Sequence, residues 1–393
     1  MRITRNIDSA EDLAQEALVL ALEHWPETGV PENPAAWLMT TARNRAIDAA
    51  RRIALVDEKH SILSERCAPL APPDEPEVGD DVLRLIMIAC HPIVPKEGRV
   101  ALTLRLVTGL STEEIARAFL QPEPTIAQRI VRAKRILTEA KVPFEVPEGV
   151  ELRSRLPSVL EVIYLIFNEG YAAATGDAWM RPELCRDAMR LGRVLAALML
   201  EEAEVHGLVA LMELQASRMR ARVDKSGSPI LLDAQNRAAW DHSLIQHGLS
   251  ALHRAETLQQ PLGAYSLQAA IAACHARAAT FEATDWCKIV ALYDALAELS
   301  QSPVVELNRA VAVGMAYGPA EALDLVDQLV EQRTLEQYAM LPAARGDLLE
   351  KLGRHAEART EFEHAARLTF NARERDVLRA RAERVTRCPA DFS

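Results

Sequence analysis

The chain has 393 residues, 49% of them apolar and only 5% aromatic, with a formal net charge of −11. That length points to two or three domains with real hydrophobic cores and excludes a disordered chain, while abundant Ala and Leu with few aromatics favour helix over β-sandwich or barrel. No run approaches eighteen apolar residues and the start lacks an apolar signal core, so a cytoplasmic protein without membrane contact is expected.

In chain order, residues 8–24 place Leu13, Ala17, Leu20 and Ala21 at helical spacing, with Asp8 or Ser9 as N-cap and Glu11 and Asp12 in the first turn. Pro26, Gly29 and Pro31 mark a loop, and a second helix is expected to begin near Asn33-Pro34. That helix runs through Trp37, Leu38, Ala42 and Ile47 to Arg51-Arg52. Trp37 reads as a core anchor, and Arg43, Arg45, Arg51 and Arg52 give the helix a basic surface. Residues 53–80 lose periodicity. Pro69, Pro72, Pro73 and Pro76 sit among carboxylates, with seven acidic and two basic side chains, the composition of an extended acidic linker. Residues 81–141 read as a compact helical domain with helices at 81–90, 96–108, 112–120 and 125–140, and carry ten basic against six acidic residues, a net +4.

Within that domain, residues 111–136 show an amphipathic helix, a break at Gln121-Pro122-Glu123-Pro124, and a second helix with a basic outer face, the pattern of a helix-turn-helix. Ile115, Ala116 and Phe119 are expected to pack on Ile126, Ile130 and Val131, leaving Thr125, Gln128, Arg129, Arg132 and Arg135 outward. Guanidinium groups can read guanine edges or phosphates, and an amide can read adenine, so these residue types suit a major-groove reader. A helical hairpin with a solvated basic face is the competing reading. The net +4 segment is the one clearly positive part of an acidic chain, as attraction to phosphate requires.

Beyond Pro143 and Pro147 the chain reads as helix after helix, interrupted at 222–234, where Gly227, Pro229 and Ile230-Leu231-Leu232 suggest a loop or small hairpin. Ala320-Glu321-Ala322 and Ala356-Glu357-Ala358 each follow a glycine, Gly318 and Gly353, and residues 338–369 form the clearest copy of a unit of tetratricopeptide-like length. The concave face of such an array commonly binds a peptide or protein partner. The cysteines, Cys67, Cys90, Cys185, Cys274, Cys287 and Cys388, lack any Cys-x-x-Cys spacing, so reduced, mostly buried thiols are expected, with no metal site and no cofactor. No nucleophile elbow or Gly-rich phosphate loop accompanies Glu169, His275, Asp285 or Glu306, and no enzymatic activity is expected.

Taken together, Ala10-Glu11-Asp12-Leu13-Ala14-Gln15-Glu16, the run from Trp37 to Asp48, the acidic linker and the helix-turn-helix resemble the small extracytoplasmic-function (group four) sigma factors of bacterial RNA polymerase. Cys90-His91-Pro92, Ala101–Leu106, Ile166–Tyr171, Gln268–His275, Asp285-Trp286 and Pro303–Val311 resemble the subgroup with a C-terminal tetratricopeptide-like helical extension. The resemblance implies an all-α chain: sigma region 2 at 1–52, its first helix apparently missing, the linker at 53–80, region 4 at 81–141 and the extension at 149–393. It implies that Glu11, Asp12, Gln15 and Glu16 meet the polymerase core. Arg43, Asn44, Arg45, Asp48, Arg51 and Arg52 would meet the −10 promoter element, and Thr125, Gln128, Arg129, Arg132, Lys134 and Arg135 the −35 element. In the extension, Asn168, Glu169, Tyr171, His275, Asp285, Trp286, Asn308 and Arg309 are candidates for a groove or interface, with plain helix-to-helix bonding as the alternative. The implied partners are RNA polymerase core, promoter DNA and a peptide or protein ligand of the repeats. A helix-turn-helix regulator with a sensor domain, acting without polymerase, is the rival reading.

Overall fold

The computed structural model describes residues 7–31, 33–34, 36–46, 78–119, 121–143, 145, 147, 149–172, 180–224 and 229–387. Among the described residues the regular structure is helical, apart from an isolated antiparallel bridge between Val223 and Pro229. Two compact units emerge. One takes in Met1–Ala116 and Gln121–Val159, the other Leu160–Ser393 with Arg117–Leu120. The first unit therefore continues past the Val142–Glu148 segment, at which the sequence suggests a break.

In the first unit α1 spans Ile7–Thr28 and includes Pro26, which the sequence reading placed in a loop. A proline here forfeits one backbone bond close to the helix end, and the cost is small because the last turn is closed elsewhere. Gly29, at φ +82°, donates its N–H to the Trp25 carbonyl at 2.9 Å, so the loop starts at Gly29. Asn33 caps the next helix by accepting from the Ala36 N–H at 3.0 Å, with Pro34 in the first turn, and residues 36–46 form α2. Trp37 of α2 meets Trp25 of α1 edge-to-face at 5.5 Å, which anchors the helix pair.

Helix α3 is Val78–Ala89, beginning three residues inside the stretch expected to be linker. Helix α4 is Lys96–Thr103, and the chain then widens into a π-helical turn at Leu104–Thr108 where one continuous α-helix was expected. Gly109, at φ +79°, ends it. The next helix, α5 (Thr112–Ala118), opens on a capping box: Ser111 Oγ accepts from the Glu114 N–H at 3.1 Å while Glu114 accepts from the Ser111 N–H at 2.7 Å. Helix α6 spans Glu123–Glu139, and Pro124 fits its first turn because the N–H it lacks has no partner there in any case. Helix α6 packs chiefly on α4. A Cβ at Gly98 would stand 3.1 Å from Val94 Cγ1 and 3.5 Å from Ala133 Cβ, so only a small residue allows this approach.

In the second unit α9 (Ala203–Ala216) is apolar nearly all round and is wrapped by α8 (Pro182–Leu198), α10 (His242–Thr257) and α11 (Ala264–Arg277). A Cβ on Gly207 would fall 2.3 Å from Ser266 Oγ, which fixes glycine at the crossing of α9 and α11. Glu204 accepts from the N–H groups of Gly263, Tyr265 and Ser266, capping α11 from its neighbour. Next, α12 (Trp286–Leu299), α13 (Pro303–Ala316), α14 (Pro319–Glu331), α15 (Met340–Lys351), α16 (His355–Leu368) and α17 (Ala372–Arg387) pack each on the next. Gly318 and Gly353 both have positive φ at the turns before α14 and α16, and Ala322 and Ala358 are fully buried at matching places in those helices. The self-similarity in the sequence is thus a repeated turn-plus-small-residue contact. Helix α7 (Gly149–Tyr171) carries the chain from the first unit into the second.

Candidate nucleic-acid interface

The buried stripe of α6 is Ile126, Ile130, Ala133 and Leu137, which share one side of a helix at intervals of three and four residues. Gln128, Val131, Arg132 and Arg135 are exposed on the opposite side, while Thr125 and Arg129 sit half-buried on its flanks. Val131 is the correction here. Expected in the core, it is 65% exposed, because α6 packs chiefly on α4 and the buried stripe turns away from Val131. Its place between Gln128, Arg132 and Arg135 adds an apolar group to a polar, basic face, and sequence reasoning missed it by treating the residue type as core. Arg135 lies 3.6 Å from Glu139, an exposed pair of little energetic weight.

Lys134 departs further from expectation. Its side chain is only 14% exposed, and its Nζ donates to Glu11 Oε2 at 2.7 Å. The other oxygen of Glu11 accepts from Arg105 in the π-turn at 3.1 Å. Burial raises the pKa of Glu11, but the bonds and charges of Lys134 and Arg105 outweigh it and hold the carboxyl below its ordinary value. One expected polymerase contact and one expected DNA contact are therefore bound to each other. Asp12, Gln15 and Glu16 stay exposed on α1, and Leu18, Val19 and Leu22 are exposed beside them, an apolar strip on an otherwise polar surface.

On α2, Arg43, Asn44 and Arg45 are exposed, and Arg45 stands 3.8 Å from Glu16. Asp48, Arg51, Arg52 and residues 53–77 of the linker lie outside the described residues.

The extension candidates do not gather into one groove. Glu169 pairs with Arg181, and burial raises its pKa despite that partner. Tyr171 stacks on Phe167. Asp285 caps α12 by accepting from the Lys288 N–H at 2.9 Å, His275 and Phe281 meet Trp286 edge-to-face, and Arg309 binds Asp294 at 2.6 Å. Asn308 is exposed. Glu169, the His275–Trp286 pair and Arg309 join neighbouring helices, Tyr171 stacks within α7, and Asp285 caps its own helix. A separate cleft of about 710 Å³ lies between Ile230-Leu231 and helices α15 and α17, and its floor is an ion-pair lattice of Arg381 and Arg384 with Asp347 and Glu350.

Cys90, Cys185 and Cys274 are buried, free thiols, and burial pushes Cys90 and Cys185 up to about 12. Among the described residues no His, Cys, Asp and Glu group is arranged to hold a metal ion, and no helix is long and apolar enough to cross a membrane.

A helix with a basic outer face on a small helical domain, preceded by a helical pair with acidic and basic faces, is an arrangement whose charge suits nucleic acid. Comparison with known proteins agrees: residues 1–55 match Sigma-70 region 2 and residues 84–137 match Sigma-70, region 4. Residues 155–256 match a family of unknown function (DUF6596). The chain is 43% identical over 402 residues to an uncharacterized protein of Rhizobium meliloti (strain 1021), covering 99% of this chain and 93% of that protein. It is 31% identical over 138 residues to the ECF RNA polymerase sigma factor SigL of Mycobacterium tuberculosis (strain ATCC 25618 / H37Rv), covering 35% of this chain and 77% of SigL. No solved structure matches. The chain belongs to the extracytoplasmic-function family of RNA polymerase sigma factors.

Proposed function

We propose that this sigma factor brings RNA polymerase core to its promoters through three surfaces, and that it belongs to the subgroup whose C-terminal helical extension regulates that activity. The acidic and apolar strip of α1 (Asp12, Gln15, Glu16, Leu18, Val19, Leu22) docks on the core. The basic end of α2, with Arg43, Asn44 and Arg45, follows the −10 element, where cationic side chains suit the backbone of separated DNA strands. The outer face of α6 reads the −35 element in the major groove: Arg132 and Arg135 offer donors to guanine or phosphate, Gln128 an amide to adenine, and Val131 an apolar contact to a thymine methyl. The observation that carries this reading is the exposed row Gln128-Val131-Arg132-Arg135 set directly opposite a buried Ile126-Ile130-Ala133-Leu137 stripe.

The chain performs no catalysis of its own, because the polymerase supplies the phosphoryl transfer. It works in the cytoplasm, where its partners are. The extension, net −8 from residue 142 onward against the +4 of residues 81–141, supplies acidic surface able to compete with DNA for the basic region, and its repeats take a peptide or protein ligand. Transcription from the cognate promoter by reconstituted polymerase tests the reading: the full chain supports specific initiation, and the variant Arg132→Ala loses it selectively.

A further inference from the structure

A second polar feature in the extension is not explained by helix packing. Arg218, just beyond α9, and Arg237 both place their guanidinium carbons over the ring of Trp240, 5.7 and 5.0 Å from its centroid. Arg222 lies 3.7 Å from the ring centroid of Tyr171 and donates to the Tyr171 carbonyl at the end of α7. Arg237 donates to the carbonyls of His275 and Ala278 at 2.5 and 2.7 Å, and to the Thr284 hydroxyl at 3.1 Å, closing the end of α11. Arg218 and Arg237 thus share one ring, and Arg222 lies within reach of the Arg218 charge. Burial first, and the charge of Arg218 after it, push Arg222 and Arg237 down; burial, then Arg218 and Arg237, lower His275 to about 4.

Arg222 and Arg237 have a structural task in tying down helix ends. The polar atoms around them do not. Tyr171 Oη, Arg218 Nε, Trp240 Nε1 and His275 Nδ1 are all buried and meet no protein hydrogen-bond partner. Trp240 is only 4% exposed. Indole and guanidinium N–H groups can only donate, and burying such donors unpaired is unfavourable. Two obligate donors left unmatched, Arg218 Nε and Trp240 Nε1, beside a hydroxyl and an imidazole that can each donate and among like charges, call for an acceptor that carries negative charge.

We infer that Arg218, Trp240, Tyr171 and His275 form a binding site for a small anion bearing a carboxylate or phosphate group. Arg218 supplies the charge-assisted bond, and the Trp240 and Tyr171 donors fix its orientation. Such a ligand would join the ends of α7 and α11 through Arg222 and Arg237. On the regulatory reading above its occupancy is an input signal, but the site itself does not depend on that reading.

The test uses the full chain with ¹⁵N-labelled indole groups. Inorganic phosphate and, separately, succinate are titrated at constant ionic strength, and the Trp240 resonance is identified with Trp240→Phe. A saturable shift at Trp240 with either anion, while the Trp25 and Trp37 signals stay put, is the expected result, and the anion that saturates identifies the group recognised. Arg218→Gln should weaken that binding by about tenfold or more, as loss of a charge-assisted bond implies. Arg220→Gln, changing an exposed neighbour, should leave it intact. A melting curve checks that Arg218→Gln folds, and Arg218→Lys, which keeps the charge and loses the fork, should bind between the two. If neither anion moves Trp240 saturably, the donors are satisfied by water and the proposal fails; equal affinity in Arg218→Gln and the parent also overturns it. Neither readout needs polymerase or promoter, so failure here leaves the sigma reading standing.

Discussion

Glu11 and Lys134, 123 positions apart in the chain, are joined by a 2.7 Å hydrogen bond between the first turns of α1 and the middle of α6. Arg105 completes the clasp from the π-turn. The folded carboxyl titrates below its ordinary value, so the stabilisation from this contact is complete above the unfolded pKa and is lost as pH falls through the lowered folded one. Glu11→Gln should cost about 1 kcal/mol at neutral pH and flatten that acid limb in a series of urea melts. It also removes the carboxylate that neutralises Lys134 on α6, so the salt slope of non-specific DNA binding should steepen by up to about one unit. An unchanged melt and an unchanged salt slope would show the clasp to be inconsequential.

The exposed row of α6 predicts a division of effects. Arg132→Ala and Arg135→Ala should each cost about 1–3 kcal/mol of −35 affinity or discrimination with no loss of fold, since neither supports the core. Val131→Ala should act only where the site carries a thymine methyl. Arg129, on the flank, should matter less than Arg132. Footprints on a promoter and on base-substituted versions of it measure all four, and equal footprints across the set would remove α6 from recognition.

Replacing Arg43, Arg45 and Arg51 together should abolish promoter melting while core binding survives. Permanganate reactivity of promoter thymines reports the melting directly. Normal reactivity in the triple variant would mean that the basic end of α2 is a solvated surface.

Leu22 and Leu18 are exposed on α1 beside Gln15 and Glu16. Leu22→Lys should therefore leave the melting temperature nearly unchanged yet weaken co-purification with core polymerase about tenfold or more, as loss of a buried apolar anchor does. A core residue behaves in the opposite way: Ile126→Ala should destabilise by about 2–5 kcal/mol.

Much of this architecture was legible locally. The period of Ile126, Ile130 and Leu137, the Asn33-Pro34 helix start and the glycines before α14 and α16 are each written within a few residues, because caps, turns and amphipathic stripes are short-range physics. What distance hides was not legible. Pro26 stays helical because Gly29 closes the turn behind it. Val131 faces outward because α4, reached through Gly98, takes the opposite side of α6. Glu11 is an exposed acid by pattern and a clasp only because folding brings Arg105 and Lys134 to it. Asp285, Glu169 and Arg309 drew notice for their chemistry, but a helix cap and two interhelical ion pairs use the same groups as an active site.

The extension should change output. A chain ending at Val159, where the first compact unit closes, keeps Ser158 bonded to the Cys90 carbonyl at 2.6 Å and so should fold. Its transcription from the cognate promoter should differ several-fold from that of the full chain. Equal activity under every condition tested would leave the repeats as a docking platform without regulatory effect.

The most direct measurement of the central claim is run-off transcription with purified core polymerase and the full chain on fragmented genomic DNA, sequencing the 5′ ends. Sigma activity predicts discrete start sites that require both the chain and the core, and whose use falls several-fold or more with Arg132→Ala. Start sites absent in every fragment, with the chain alone still protecting defined DNA segments, would contradict it and identify a regulator that works without polymerase.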